Sequence, residues 1–292
     1  MANLSRQNIK SRFPFIIEIR PYLRDHFFEG KAIFPAVEAL ITLAQAVSSR
    51  YPQATLHMLN GAYFPRMLAI EPAGERQDVQ IEIEASAGGI RASLLTSLKI
   101  KNSIMSRTLE HARVTFVQNM VLPEPAMSFG TVRKMESECI HVPAVSIYRE
   151  LIPFGLSYQN IIGDLAVSAQ GALANISGGS GEANDSFLGS PFALDATMHA
   201  ACVWGQRFTD MVPFPVGFDQ RIIYAPAKKG GSYLARIVPV DVRREPLIFD
   251  AWIFDQNGII CESISGLRMR DVTQGRMRPP QWIKDGAWEK SF

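Results

Sequence analysis

Cysteine is scarce and unpatterned: Cys139, Cys202 and Cys261 are the only three in 292 residues. An odd, scattered set without C-x-x-C spacing excludes a disulfide framework and carries no zinc signature, which fits a reducing compartment. Excess charge is missing as well, since 30 Lys and Arg against 28 Asp and Glu leave a net charge of +2. Nothing in that balance calls for nucleic acid. Long hydrophobic runs are absent: Phe13-Pro14-Phe15-Ile16-Ile17 is far too short for a secretory segment, and no window approaches a membrane span. The expectation is a soluble cytoplasmic protein with neither nucleic acid nor membrane as partner; separately, Met1-Ala2-Asn3 reads as a native start, which leaves a stand-alone protein and an excised synthase domain both open. The patterns G-x-x-x-x-G-K-[ST], G-x-G-x-x-G, H-E-x-x-H and G-x-S-x-G do not occur, which sets aside nucleotide, dinucleotide, metalloprotease and hydrolase readings.

What is present is an ordinary globular composition, 47% hydrophobic and 20% charged, over a length that suits two domains or one large one. One stretch organises it. His26, Gly30 and Pro35 lie in H-x-x-x-G-x-x-x-x-P spacing ahead of Ala36-Val37-Glu38-Ala39-Leu40-Ile41. With 5 His, 21 Gly and 18 Pro in the chain, chance supplies roughly 0.02 such matches. Pro35 suits the first turn of a helix, and Ile33, Val37, Leu40, Ile41, Ala44 and Val47 recur at helical offsets through about Ser49.

Strands are expected at Phe13 to Ile17, Leu56 to Leu68, Val79 to Glu84, Ala92 to Ile100 and Met105 to Val117, with alternation that leaves one face wet. Gln118 to His141, with Pro123, Pro125 and Gly130, reads as a linker with a turn or two. The plan then repeats. A short segment Ser146 to Ile152, a strand Leu165 to Ile176 and a glycine-rich loop Ser177 to Gly181 precede a second helix around Leu194 to Trp204. Strands Gly217 to Tyr224, Tyr233 to Val240, Leu247 to Phe254 and Ile259 to Arg270 follow, the last two joined by Asp255-Gln256-Asn257-Gly258 as a hairpin. Each half is a helix with an antiparallel sheet wrapped around it.

His26, Gly30 and Pro35 with the helix after them resemble the first signature of the polyketide synthase dehydratases, whose domains are similar to two hot-dog folds fused in one chain. Asp195 to His199 fits the family's second signature, D-x-x-x-Q/H, and Tyr148 through Asn160 resembles its Y-G-P-x-F-Q-G stretch. Pro213-Phe214-Pro215-Val216 and Phe254-Asp255 to Gly266-Leu267-Arg268 sit where the family has its late strands, so the resemblance runs in order from about residue 12 to 272. It implies an α+β double hot dog: an N-terminal hot dog over 1–125, a linker over 126–145, a C-terminal hot dog over 146–275 and a tail over 276–292. Departures are Ala36 for the usual glycine, Phe154 for a tyrosine, and Ile41 where single-hot-dog relatives keep a catalytic glutamate, with Glu38 three residues earlier. The acid is therefore expected from the second half.

The activity implied is loss of water from a 3-hydroxyacyl thioester on an acyl carrier protein, giving the trans-2-enoyl thioester. Imidazole titrates near the operating pH, so His26 suits the base that takes the proton beside the carbonyl. Asp195 suits the acid if an apolar pocket keeps it protonated. Ala36 at the helix start offers an N–H to the developing enolate, which Pro35 cannot. His199, four residues after Asp195, shares its helical face and is expected to orient it. Gly30 is expected to make a tight turn that aims His26, and Phe154, Gly155 and Tyr158 to line the substrate. The plainer reading of Asp195 is a helix cap. His57, His111 and His141 lack any motif and read as surface or strand residues, Trp204 and Phe208 as core, and Met198 as either.

No metal or redox cofactor is implied, the substrate arriving on a partner's phosphopantetheine arm. The carrier is acidic, and Lys228, Arg243 and the tail arginines Arg268, Arg270, Arg276 and Arg278 are candidates to receive it or other synthase domains. Two fused hot dogs leave monomer and homodimer both open. Alternatives on the same fold are a product-template-like cyclase, an enoyl isomerase and a non-catalytic acyl-binding protein.

Overall fold

In Val79-Gln80-Ile81-Glu82-Ile83-Glu84 the three aliphatic side chains are buried, and the polar ones face outward to form one wet face of a strand. That alternation recurs through the computed structural model, which describes residues 9–99, 106–135, 138–180 and 186–286. Met1, Ile100, Met105, Gly181 and the last residues of the tail lie outside the described residues.

The first half contains β1 (Ile9–Glu18), β2 (Phe27–Phe28), β3 (Lys31–Phe34), a first central helix (Ala36–Arg50), β4 (Met58–Tyr63), β5 (Leu68–Ala69), β6 (Arg76–Ser86), β7 (Gly89–Lys99) and β8 (Ser106–Val117). The second contains β9 (Ile140–Pro143), β10 (Ile161–Ser168), β11 (Gly171–Ser177), a second central helix (Pro191–Phe208), β12 (Phe214–Ile223), β13 (Ser232–Asp241), β14 (Leu247–Asp255) and β15 (Ile260–Arg270). Around the first helix the strand order is β1-β6-β7-β8-β4, and around the second it is β11-β13-β14-β15-β12. Counted from the strand before each helix, both read first, third, fourth, fifth, second. β4 and β12 pair antiparallel, Tyr63 opposite Gly217 and Met58 opposite Ile222. The halves thereby join edge to edge in one 12-stranded sheet, and this is the double hot dog. Both central helices are buried almost throughout, which is why neither shows a narrow apolar stripe.

Several local expectations change. Leu56 to Leu68 is not one strand: Pro65 has no N–H to donate, and the chain leaves the main sheet there to add β5 to a small sheet ordered β2-β3-β5. Leu165 to Ile176 is a hairpin of β10 and β11 that turns at Ala169 and Gln170. The linker region carries β9, which pairs with β10, and a helical turn, Phe129–Val132. Ile33 belongs to β3, since the helix begins only after Pro35. Trp204 is core, its indole N–H donating to the Ser168 carbonyl at 2.9 Å. Phe208 sits at the helix end and is 40% exposed rather than buried. Among the described residues no helix is long and apolar enough to cross a membrane.

Candidate active site

His26 leaves a helical turn, Pro21–Asp25, and enters the β2–β3 hairpin. The hairpin turn puts Glu29 at φ 47° and Gly30 at φ 74°, the doubly left-handed geometry that matches strand twist and that glycine adopts without a Cβ penalty. Ile33 is thereby brought back against His26. Its N–H donates to the His26 carbonyl at 2.8 Å, and its own carbonyl lies 3.0 Å from His26 Nδ1. A carbonyl only accepts, so Nδ1 carries the proton and Nε2 keeps its lone pair. Desolvation holds the imidazole below its ordinary pKa; the Asp195 charge opposes this and His199 adds to it.

Asp195 and His199 sit on the second central helix, one turn apart and both buried. Asp195 is no cap: Ser190 holds that position, its Oγ accepting from the Phe192 N–H at 3.3 Å. Asp195 Oδ2 and His199 Nε2 approach to 2.9 Å, yet they are misaligned for a hydrogen bond and neither atom has another partner. His199 Nδ1 lies 3.4 Å from the Tyr148 hydroxyl, which itself accepts the Ile161 N–H at 2.8 Å. The phenol proton is left to point at Nδ1, so Nε2 carries the hydrogen that faces Asp195. Buried polar atoms without partners are rare, and here they border open space.

That space is a cavity of about 730 Å³ bordered by His26, Ala36, Phe154, Asp195, Met198 and His199, with Phe34, Leu94, Leu151 and Val212 among its apolar walls. Its size and apolar lining suit a small organic ligand. The Phe154 ring stands between the two halves' contributions, 4.3 Å from the His26 ring and 5.2 Å from that of His199. Gly30 borders the cavity, whereas Pro35 precedes the first helix from outside it. Pro35 has no side chain to cap the amides that begin at Ala36. Tyr158 is fully buried behind this wall, 5.1 Å from the His26 ring, and its hydroxyl has no partner. It does not border the cavity itself.

Gly155 has a different task. Its N–H donates to the Asp25 carbonyl at 2.7 Å, and a Cβ there would stand 2.5 Å from the Asp25 carboxyl carbon. Asp25 Oδ2 also accepts from the Ser157 N–H at 2.9 Å and Oγ at 2.6 Å. Asp25 therefore binds the 154–158 turn of the second half to the residue before His26. Neither Asp25 nor Tyr148's bond to His199 is visible in sequence spacing, because the partners lie 132 and 51 residues away. His111 is a strand residue as expected, but it is buried and borders the cavity. Both its nitrogens are engaged, Nε2 with Thr96 Oγ1 at 2.8 Å and Nδ1 with the Arg66 and Met67 carbonyls at 3.3 and 3.2 Å. Among the described residues no group of three or more His, Cys, Asp or Glu has metal-holding geometry.

Residues 146–279 match the family model described as the polyketide synthase dehydratase N-terminal domain, which here falls on the second half of the chain. No curated protein matches the sequence. The dehydratase domain from the CurF module of curacin polyketide synthase is 18% identical with TM-score 0.70, over 92% of this chain and 95% of that one. An inactive CurJ dehydratase mutant, histidine to phenylalanine, in complex with a small compound, is 16% identical with TM-score 0.72, over 97% and 96%. An inactive CurK dehydratase mutant, aspartate to asparagine, is 21% identical with TM-score 0.69, over 92% and 94%. At such identities these structures speak for the fold, and the family model speaks for the second half. The second half of the chain thus matches the polyketide synthase dehydratase model, and the whole chain has the fold of the solved dehydratase domains.

Proposed function

We propose that this protein removes water from a 3-hydroxyacyl thioester to give the trans-2-enoyl thioester. The observation that carries this reading is an imidazole with a free Nε2 and a buried, unpartnered carboxylate oxygen bordering one apolar cavity from opposite halves. His26 Nε2 takes the proton beside the carbonyl, the electrons of that C–H bond pass to the thioester oxygen as an enolate, and they return to form the double bond as the C–O bond breaks. The departing hydroxyl takes a proton from Asp195 and leaves as water. The N–H of Ala36, at the positive end of the first central helix, stabilises the enolate that forms on the thioester oxygen. His199, held by Tyr148, orients Asp195. Phe154 closes the wall without a hydroxyl, so the polar contact of the usual tyrosine is replaced by a ring face.

The chemistry uses side chains and backbone alone, with no metal or redox cofactor, in the cytoplasm. The acyl chain arrives on the phosphopantetheine arm of an acyl carrier protein. Of the candidate arginines, Arg270 borders the cavity, while Arg268 and Arg276 are already paired with Asp219 and Glu29. The two inactive relatives were altered at a histidine and at an aspartate, the residue types proposed here. His26→Ala and Asp195→Asn should each lower turnover of a 3-hydroxyacyl thioester by about a thousandfold with an unchanged circular dichroism spectrum. Full activity in either variant overturns the assignment.

A further inference from the structure

The proposed chemistry fixes the direction in which the substrate lies. The thioester oxygen meets the N–H of Ala36, the proton on the next carbon meets His26, and the hydroxyl on the third carbon meets Asp195. The chain therefore crosses from the start of the first central helix to the second, and its later carbons continue past Asp195. On the second helix Met198, His199 and Cys202 follow Asp195 at offsets of three, four and seven residues, so all four share one face, and all four border the cavity. Leu151, Ile152, Val212 and Pro213 border it as well and are buried. The cavity opens elsewhere: Glu29, Tyr63, Arg66 and Gln274, which also border it, are exposed.

Beyond Cys202 the buried end is shut. Cys202 is the last residue of the helix to border the cavity. Gly205 faces Pro213 so closely that a Cβ would run into the proline ring, which is why a residue that weakens helices stands there. Gln206 Nε2 donates to the Leu151 carbonyl at 3.2 Å and to Cys202 Sγ at 3.5 Å, tying the helix to the facing wall. No side chain at this end offers a polar atom in want of a partner. Among the described residues the buried side-chain nitrogens and oxygens without one belong to Tyr158, Asp195 and His199. Burial pushes the Cys202 thiol up to about 12, so it stays a neutral, weakly polar wall.

We propose that the acyl tail lies along the second central helix from Asp195 to Cys202, that Cys202 sets how far it can reach, and that the substrates carry an aliphatic tail free of polar groups. The direction of the tail rests on the dehydration reading; the closed, apolar end of the cavity does not. Seven residues of helix span about 10 Å, room for about eight carbons beyond the third at about 1.2 Å per bond of extended chain. A hydroxyl or keto group on that tail would be buried with nothing to bond.

Saturated acyl pantetheine thioesters, which have no hydroxyl to lose, read the pocket without turnover. Their affinity for the wild-type protein, measured by isothermal titration calorimetry, should rise about fourfold with each methylene. It should stop rising once the tail exceeds about eight carbons beyond the third. Cys202→Phe fills the end of the pocket, so the decanoyl thioester should bind about a hundredfold more weakly and the butyryl thioester only about twofold more weakly. A decanoyl thioester hydroxylated next to its chain end should bind the wild type about ten- to a hundredfold more weakly than the plain one. Equal binding of the hydroxylated tail overturns the aliphatic assignment. An affinity that keeps rising past that length in the wild type, or decanoyl binding unmoved in Cys202→Phe, overturns the role of Cys202. Should Cys202→Phe not fold, Cys202→Met takes its place, with decanoyl binding expected to weaken about tenfold and the same result overturning the inference. If the wild type binds the series yet turns over no 3-hydroxyacyl thioester, the proposed function fails while the pocket stands.

Discussion

The two halves have the same strand order and the same buried central helix, yet they begin that helix in opposite ways. In the first half the helix follows a hairpin bearing His26, and Pro35 leaves the opening amides without a side-chain cap. In the second half, among the described residues, no hairpin stands between β11 and the helix. Ser190 caps the helix, and its hydroxyl also donates to the Gly178 carbonyl at 2.6 Å. One helix start is open to a ligand and the other is closed by the protein. The open half contributes the imidazole and free amides, and the closed half the carboxylate, its histidine and the Phe154 wall. A duplicated scaffold thus yields a site with unlike sides, which a reaction needing both an acid and a base requires.

If the unlike sides must be held in register, the joint between them is the most sensitive point. Asp25→Ala removes the acceptor for the Ser157 N–H and Oγ and frees the turn carrying Phe154. We expect kcat/KM to fall about a hundredfold through misplacement alone, with stability lower by about 1–3 kcal/mol, measured by steady-state kinetics and urea unfolding. Unchanged kinetics would mean that the β4–β12 pairing aligns the halves without help. Within the closed half, Tyr148→Phe leaves the Ile161 N–H unpaired and releases His199 Nδ1. A loss of about 1–3 kcal/mol should accompany a fall in kcat of about tenfold, with KM unchanged; an unaltered kcat would detach His199 from the chemistry. The smallest effect belongs to the open half. Gly30→Ala forces a Cβ into a φ of 74° with no neighbour within 4 Å. It should cost about 1 kcal/mol, visible in thermal unfolding, and change kcat only severalfold because the β2–β3 pairing still carries His26.

Much of this organisation could be read from the chain. The His26, Gly30, Pro35 spacing pointed to the hairpin and helix, and alternation in residues 79–84 to a half-buried strand. Asp255 to Gly258 does form the last hairpin, its Asp255 Oδ1 accepting from the Asn257 and Ile259 N–H groups at 2.9 and 2.8 Å. The misses share a cause. β9 lies in a proline-containing stretch and is a strand only because β10 offers it a partner edge. Phe208 is as apolar as Trp204, but it sits at the helix end and stays partly exposed. Asp25 and Tyr148 are ordinary residue types whose roles come from what they meet.

What the sequence alone determined is the local and the chemical: which side chains can accept or donate a proton, where a left-handed turn is tolerated, which faces are apolar. These follow from side-chain identity and from periods of two or 3.6 residues. The tertiary structure decided which of those groups face each other and in what protonation state. Asp25 reaches Ser157 across 132 residues, and Tyr148 reaches His199 across 51. Burial, with the hydrogen-bond partners it leaves or withholds, sets the state of His26, and burial belongs to the packed whole rather than to any stretch of chain.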